Sequence, residues 1–209
     1  MTTPLPADAE TLFARLRDSL KDALGASCNG QAQEGPDALA GVDPTMPVGE
    51  SAAGSGSEAA QAGSAEAPAF IGIHTGGAWL AARLHAELGL SSPLGFLSSA
   101  FYRDDVQARG LSTRMQPTRI DFDVNGRDIV LVDDILHTGR TIRAALNEIF
   151  DYGRPARVRL AVLIDRGERE LPVQPDHVGA RLVLQPGEKL ALSQRTNGMF
   201  ELRVESVQA

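Results

Sequence analysis

One stretch of the chain has acids, hydroxyls and glycine spaced for chemistry. Residues 129–132 are a continuous apolar run, Asp133 and Asp134 follow it, and Thr138, Gly139, Arg140 and Thr141 come next. Two adjacent carboxylates can accept hydrogen bonds from hydroxyl groups. Threonine and glycine at the start of a helix can turn hydroxyls and backbone amides toward an anion. The ligand these groups describe carries both hydroxyls and phosphate: a phosphorylated sugar. Two further loops have related chemistry, Thr75-Gly76-Gly77 and Asp165-Arg166-Gly167, and Arg103 follows a third apolar run.

The elements that must hold these residues are legible in the apolar spacing. Residues 70–74, 94–102, 129–134 and 158–164 read as strands, and the unbroken apolar runs suit strands buried on both faces. Residues 78–88 and 142–152 repeat apolar positions at helical spacing, and Gly153 is placed to end the second helix. Residues 8–24 read as an amphipathic helix capped by Asp8, with Leu12, Phe13, Leu16, Leu20 and Leu24 toward a core. Short strands are predicted at 181–184, 189–192 and 200–204. Residues 120–124 alternate apolar and polar before the Asn125-Gly126 turn signal, and 106–117 suit an exposed flap. Strands alternating with helices imply a mainly parallel α/β sheet, with ligand beyond the C-terminal strand ends. The loops at 75, 133 and 166 all follow strands, so they can converge there.

The rest of the composition sets bounds. The chain has 209 residues and a net charge of -7, of which -6 lies in residues 26–69 where there is no Lys or Arg. The remainder is close to neutral, unlike a dedicated nucleic-acid binder. Residues 49–68 contain no aromatic and no large aliphatic residue, so 26–68 reads as a disordered insert. The expected organisation is a packed N-terminal helix at 1–25, this insert, and one domain over 69–209. The single cysteine, Cys28, excludes an internal disulfide. With no apolar run of membrane length and no signal-like start, the expected location is the cytoplasm.

The 129–141 stretch resembles the phosphoribosyl-pyrophosphate (PRPP) motif of type I phosphoribosyltransferases: apolar strand, two acids, then Thr-Gly-Arg-Thr opening a helix. Residues 132–179, beginning VDDILHTGRT and including LIDRGERELP, look very like the PyrR family, which joins uracil phosphoribosyltransferase activity to control of pyrimidine genes. AFYRDD at 100–105 and the glycine loop at 75 fit the same family, and the likeness spans about residues 70–192. It implies a type I phosphoribosyltransferase fold, with helices flanking a parallel sheet and a small C-terminal hood. It implies the reaction uracil + PRPP → UMP + pyrophosphate, with Mg²⁺ held mainly through PRPP. Asp133, Asp134 and Arg103 are the implied catalytic residues, Arg103 stabilising the departing pyrophosphate. Thr75 and Gly76 approach the pyrophosphate, and the segment Ile135, Leu136, His137, Thr138, Gly139, Arg140 and Thr141 forms the cradle, with the 5-phosphate on 138–141. Arg166 and the backbone near Leu190 are the matched positions for the nucleobase. The implied partners are PRPP, uracil, UMP, the pyr mRNA leader and further copies of the chain. Two positions depart from the family pattern. Gly76 stands where arginine is common, and Glu168 where many members have histidine. An alternative reading is therefore a UMP- or PRPP-sensing regulator with weak or no catalysis.

Overall fold

The computed structural model describes residues 3–28, 67–98 and 116–206. Arg103, the 106–117 flap apart from its last two residues, and nearly all of the 26–68 insert lie outside them. The elements in chain order are α1 (Ala9–Cys28), β1 (Ala69–Ile73), α2 (Gly76–Glu87), β2 (Leu94–Leu97), β3 (Asp128–Leu136), α3 (Arg140–Tyr152), β4 (Arg157–Asp165), β5 (His177–Arg181), β6 (Glu188–Gln194) and β7 (Phe200–Ser206). Strands β1 to β5 form one sheet in the order β2-β1-β3-β4-β5, and every pair is parallel. β6 and β7 form a separate antiparallel hairpin.

β3 is the middle strand, and its apolar run divides between two cores. Val130 and Val132 pack with α1, α2 and the β6–β7 hairpin. Ile129 and Leu131 pack with Ile142, Ala145 and Ile149 of α3. An unbroken apolar run is what such a strand needs, because alternate side chains enter different cores.

The sequence reading needs three corrections. The predicted strand at 181–184 is displaced, since the ladder runs over His177–Arg181 instead. Leu182 and Leu184 do pack on the core, but Val183 is 71% exposed. The alternation at 120–124 makes no strand; only an isolated bridge joins Phe96 to Arg119. Gly76 and Gly77 are not a loop before α2. They are its first two residues.

α1 starts where Asp8 accepts bonds from the Thr11 amide (3.0 Å) and hydroxyl (2.7 Å). Its stripe of Leu12, Phe13, Leu16 and Leu20 is fully buried. Truncating Leu16 to alanine is expected to cost about 2–5 kcal/mol, readable by urea unfolding. Arg83 of α2 lies over the rings of Phe13 (4.4 Å) and Phe200 (5.1 Å) and pairs with Glu10 at 2.7 Å. Glu10 also accepts from the Phe200 amide at 2.6 Å. This cluster joins α1, α2 and the hairpin.

The same joints are sensitive to acid. The Arg83 guanidinium holds the Glu10 carboxyl below its usual value of 4.5. Bonds from Thr3 lower Glu188, and Arg195 with Arg203 bring Glu201 down to about 2. A carboxyl depressed by folding stabilises above its unfolded pKa and loses that contribution as pH falls through its folded value. Burial depresses His177 below 6.5, so its contribution too is present above that pH and declines below it. The urea midpoint is therefore expected to drop between pH 7 and 5, and again below pH 4.5 with the β6–β7 hairpin loosening first. Urea titrations at pH 7, 5 and 3, with hydrogen exchange on the hairpin, check both stages; a midpoint flat below pH 4.5 contradicts the second.

Candidate active site

Three loops meet beyond the C-terminal ends of β1, β3 and β4. The first begins at His74 and Thr75, joined by a cis peptide bond, and passes directly into α2. Here the glycines serve close approach. A Cβ on Gly77 would stand 2.4 Å from the Val132 carbonyl oxygen and 2.9 Å from the Asp133 Cα. A Cβ on Gly76 would stand 2.2 Å from Asp134 Oδ2. The N-terminus of α2 therefore lies on the backbone of β3, with Asp134 against Gly76. α2 carries no acidic side chain in its first turn and Thr75 makes no side-chain cap bond, so its amide end stays electropositive.

The second loop leaves β3. Asp133 is buried, and its Oδ1 accepts from the Asp134 amide at 3.0 Å. Asp134 is half-buried, and its own Oδ1 accepts from the Ile135 amide at 3.0 Å. These bonds set the two carboxylates at different depths. Ile135 is half-buried against the α1–α2 core, and Leu136 is 1% exposed among core residues. Within the cradle the Leu136 side chain serves packing, and that of Ile135 does so in part. Gly139 has a φ of 92°, which admits glycine readily and turns the chain into α3. Thr138 is buried, and its hydroxyl accepts from the Arg140 amide at 3.3 Å. α3 also opens with no acid in its first turn. Arg140 reaches outward to Glu170 at 2.6 Å, so its side chain braces the cradle from outside.

The third loop follows β4 and is bonded to the second. The Arg166 amide donates to the Leu136 carbonyl at 2.9 Å, and the amides of Glu170 and Leu171 donate to the Thr138 carbonyl at 3.0 and 3.1 Å. His137 meets Glu168 at 3.1 Å. Arg166 takes neither Asp165 nor Glu170 as its partner. Its only close acid among the described residues is Glu168 at 3.8 Å, and its Nε is shut from solvent without a hydrogen bond. Asp165 is instead paired with Arg169 at 2.5 Å. Leu190 pairs with Val204 in the hairpin, with its side chain in the same core that Ile135 packs against.

Two cavities border the loops. One of about 330 Å³ is lined by Asp165, Gly167, Arg169, Gln174, Arg181 and Leu182. Another of about 750 Å³ touches Thr75 but neither acid nor the 138–141 cradle. The smaller one borders the third loop through Gly167 and Arg169, and it too touches neither Asp133 nor Asp134 nor the 138–141 cradle. Burial lowers the pKa of His74, which stacks on Phe96 at 5.6 Å beside the larger cavity.

The profile of the phosphoribosyl transferase domain matches residues 54–182. Curated relatives extend the match. The Bifunctional protein PyrR of Nitrosococcus oceani is 56% identical over 128 residues, covering 60% of this chain and 72% of that protein. Bifunctional protein PyrR of Pseudomonas aeruginosa is 54% identical over 127 residues, covering 61% and 75%. The chain belongs to the PyrR family of phosphoribosyltransferases. Among solved structures, a hypoxanthine-guanine phosphoribosyltransferase of Bacillus anthracis superposes with a TM-score of 0.54 at 16% identity, covering 91% of this chain and 88% of that one. The hypoxanthine phosphoribosyltransferase of Trypanosoma cruzi gives 0.52 at 17% identity, covering 86% and 81%. At such identities the two structures share the fold of this PyrR-family chain, and nothing about its base follows from them. No helix among the described residues is long and apolar enough to cross a membrane.

Sequence reasoning missed Arg169 altogether. It sits among the acids and turn residues of 168–172, and no periodicity marks it. The one available signal was chemical: Asp165, ending a buried strand, needed a cationic partner.

Proposed function

We propose that the three loops carry out the uracil phosphoribosyltransferase reaction, uracil + PRPP → UMP + pyrophosphate. The observation that carries this reading is the contact of two loops, with Asp134 against Gly76 at the electropositive end of α2. Amides meet the two phosphate ends of the ligand and carboxylates meet the ribose hydroxyls between them, as a sugar with a pyrophosphate at C1 and a phosphate at C5 requires.

In the reaction the bond from the anomeric carbon to a pyrophosphate oxygen breaks, and uracil N1 bonds to that carbon and loses its proton. Positive charge grows on the ribose and negative charge on the leaving group. Asp133 and Asp134 hold the ribose hydroxyls, and Asp134, the more exposed acid, opposes the positive charge. Amides at Thr75 and Gly76 receive the pyrophosphate, with Arg103 as the added cation. Thr138, Gly139, Arg140 and Thr141 bind the 5-phosphate. Preorganised groups aimed at developing charge lower the barrier without reorganising during the step. Arg166 is the matched position for the nucleobase, and its terminal guanidinium nitrogens are the donors for a carbonyl oxygen of uracil.

No cluster of three or more metal-ligating side chains occurs among the described residues. Two adjacent acids fit Mg²⁺, which typically takes one or two carboxylates and completes its shell with substrate oxygens and water. Asp133 and Asp134 would hold it, and it would neutralise pyrophosphate charge. The test is direct. Purified protein with uracil, PRPP and Mg²⁺ makes UMP, and folded protein giving no UMP above a blank overturns the reading.

Regulation of pyrimidine genes is the second half of the proposal. Glu168 is exposed beside His137 and Arg166, adding negative charge next to groups an RNA phosphate would approach. A gel-shift titration of the pyr mRNA leader, with and without UMP, checks this arm; binding indifferent to RNA sequence and to UMP counts against it. The same reading places the protein in the cytoplasm as a homo-oligomer. Phe150 and Tyr152 are exposed near the end of α3, and burial of such apolar surface would favour assembly.

A further inference from the structure

We infer that Arg169 is a positioning residue that locks the sugar-phosphate cradle to the nucleobase loop, so that both substrates are placed by one side chain. The inference rests on the phosphoribosyltransferase reading for its kinetic consequence, but its geometry stands alone. The Arg169 side chain is 15% exposed. Its Nε donates to the Val173 carbonyl at 3.0 Å. One terminal nitrogen donates to the carbonyls of His137 at 2.7 Å and Gly167 at 3.0 Å. The other donates to Asp165 Oδ1 at 2.5 Å. His137 adjoins the phosphate cradle, while Gly167 and Asp165 flank Arg166. Val173 packs beside Gly139, where an added Cβ would meet its side chain at 3.4 Å. One planar guanidinium thus bridges three backbone segments and a buried carboxylate.

The chemistry favours arginine specifically. Five bonds, the longest of them to the Leu136 carbonyl at 3.5 Å, fan out from one rigid plane and match the fixed fork of donors on a guanidinium. A lysine ammonium has three donors on a single nitrogen and cannot span these acceptors. Asp165 fixes the fork, because it is 8% exposed and also accepts from the Gly167 amide at 2.9 Å. Glu168, between them, has a φ of 54°, uncommon for a residue with a side chain. Arg169 and Asp165 hold the turn closed around it.

The test uses the full chain with Arg169→Gln, Arg169→Lys, Arg169→Ala and Asp165→Asn. Hydrogen exchange is the readout that needs no catalysis. In Arg169→Gln, peptides covering 137–141 and 165–168 are expected to exchange about tenfold faster together, while β1 and α1 keep their protection. Kinetically, kcat/KM for UMP formation is expected to fall about 100-fold, with KM rising for both PRPP and uracil. Lysine should not restore it. Guanidinium ion added to Arg169→Ala should restore part of the lost rate. Asp165→Asn shifts the same two segments less, and it serves if the arginine variants do not fold. Faster exchange at 165–168 alone, or a rise in KM for only one substrate, overturns the inference. If the native protein makes no UMP, the reaction reading fails, and the exchange experiment still decides the coupling.

Discussion

Replacing Asp134 with asparagine lowers kcat for UMP formation by about 100- to 1,000-fold and leaves the melting temperature nearly unchanged. The substitution isolates charge from shape. Asp134 Oδ1 accepts from the Ile135 amide, and the asparagine oxygen can keep that bond. Asp134 is half-buried at the mouth of the loops, so loss of its charge unsettles little of the core. What disappears is the negative charge facing a ribose that becomes positive only in the transition state. An interaction made mainly there should appear in kcat more than in KM. Steady-state kinetics with both substrates varied, alongside thermal unfolding, check the split. A variant with native kcat would remove Asp134 from the chemistry.

Gly77→Ala is expected to cost about 3 kcal/mol of stability, since overpacking a tight contact typically costs 1–3 kcal/mol and occasionally more. The obstacles to its Cβ are the Val132 oxygen and the Asp133 Cα, both backbone atoms of the central strand. They cannot move aside as a flexible side chain would. Either α2 lifts from β3 or the strand end bends, and in both cases the Asp134–Gly76 contact is lost. The melting temperature is expected to fall by about 6–12 °C, at 2–4 °C per kcal/mol for a chain of this size. UMP formation should fall as well. Gly25→Ala is the contrasting variant. Nothing lies within 4 Å of its added Cβ, and it sits inside α1. Alanine there should stabilise by about 0.5–1 kcal/mol. Calorimetry on both variants separates a close-packed glycine from one that is merely tolerated.

These glycines show where the sequence could be read and where it could not. β3 and its cradle were legible because a buried central strand must be apolar throughout and because two acids followed by Thr-Gly-Arg-Thr leave little choice of ligand. The loop at 75–77 was legible as a turn, but its purpose was not. Only the structure places Gly77 on Val132 and Asp133. β5 was misplaced because apolar content at 182–184 outweighed the true strand at 177–181. That strand carries His177 and Gly179, and Gly179 must be small because α1 and β4 press on it, with Leu12 and Leu163 carbonyls 2.8 and 2.6 Å from an added Cβ. Arg169 was illegible for a different reason. Its acceptors are mostly backbone carbonyls, which every residue has.

The docking of α1 has a consequence for how the protein is made. α1 is synthesised before every other described element, yet its partners include Gly179, Glu10's bond to the Phe200 amide, and the hairpin that ends at Ser206. At about 5–20 residues per second, roughly 10–40 seconds pass between synthesis of Leu12 and of Phe200. Throughout that interval the stripe of Leu12, Phe13, Leu16 and Leu20 lacks its final seat. An early element of the nascent chain thus waits for a late one, and in that interval its apolar stripe is a surface open to holding chaperones.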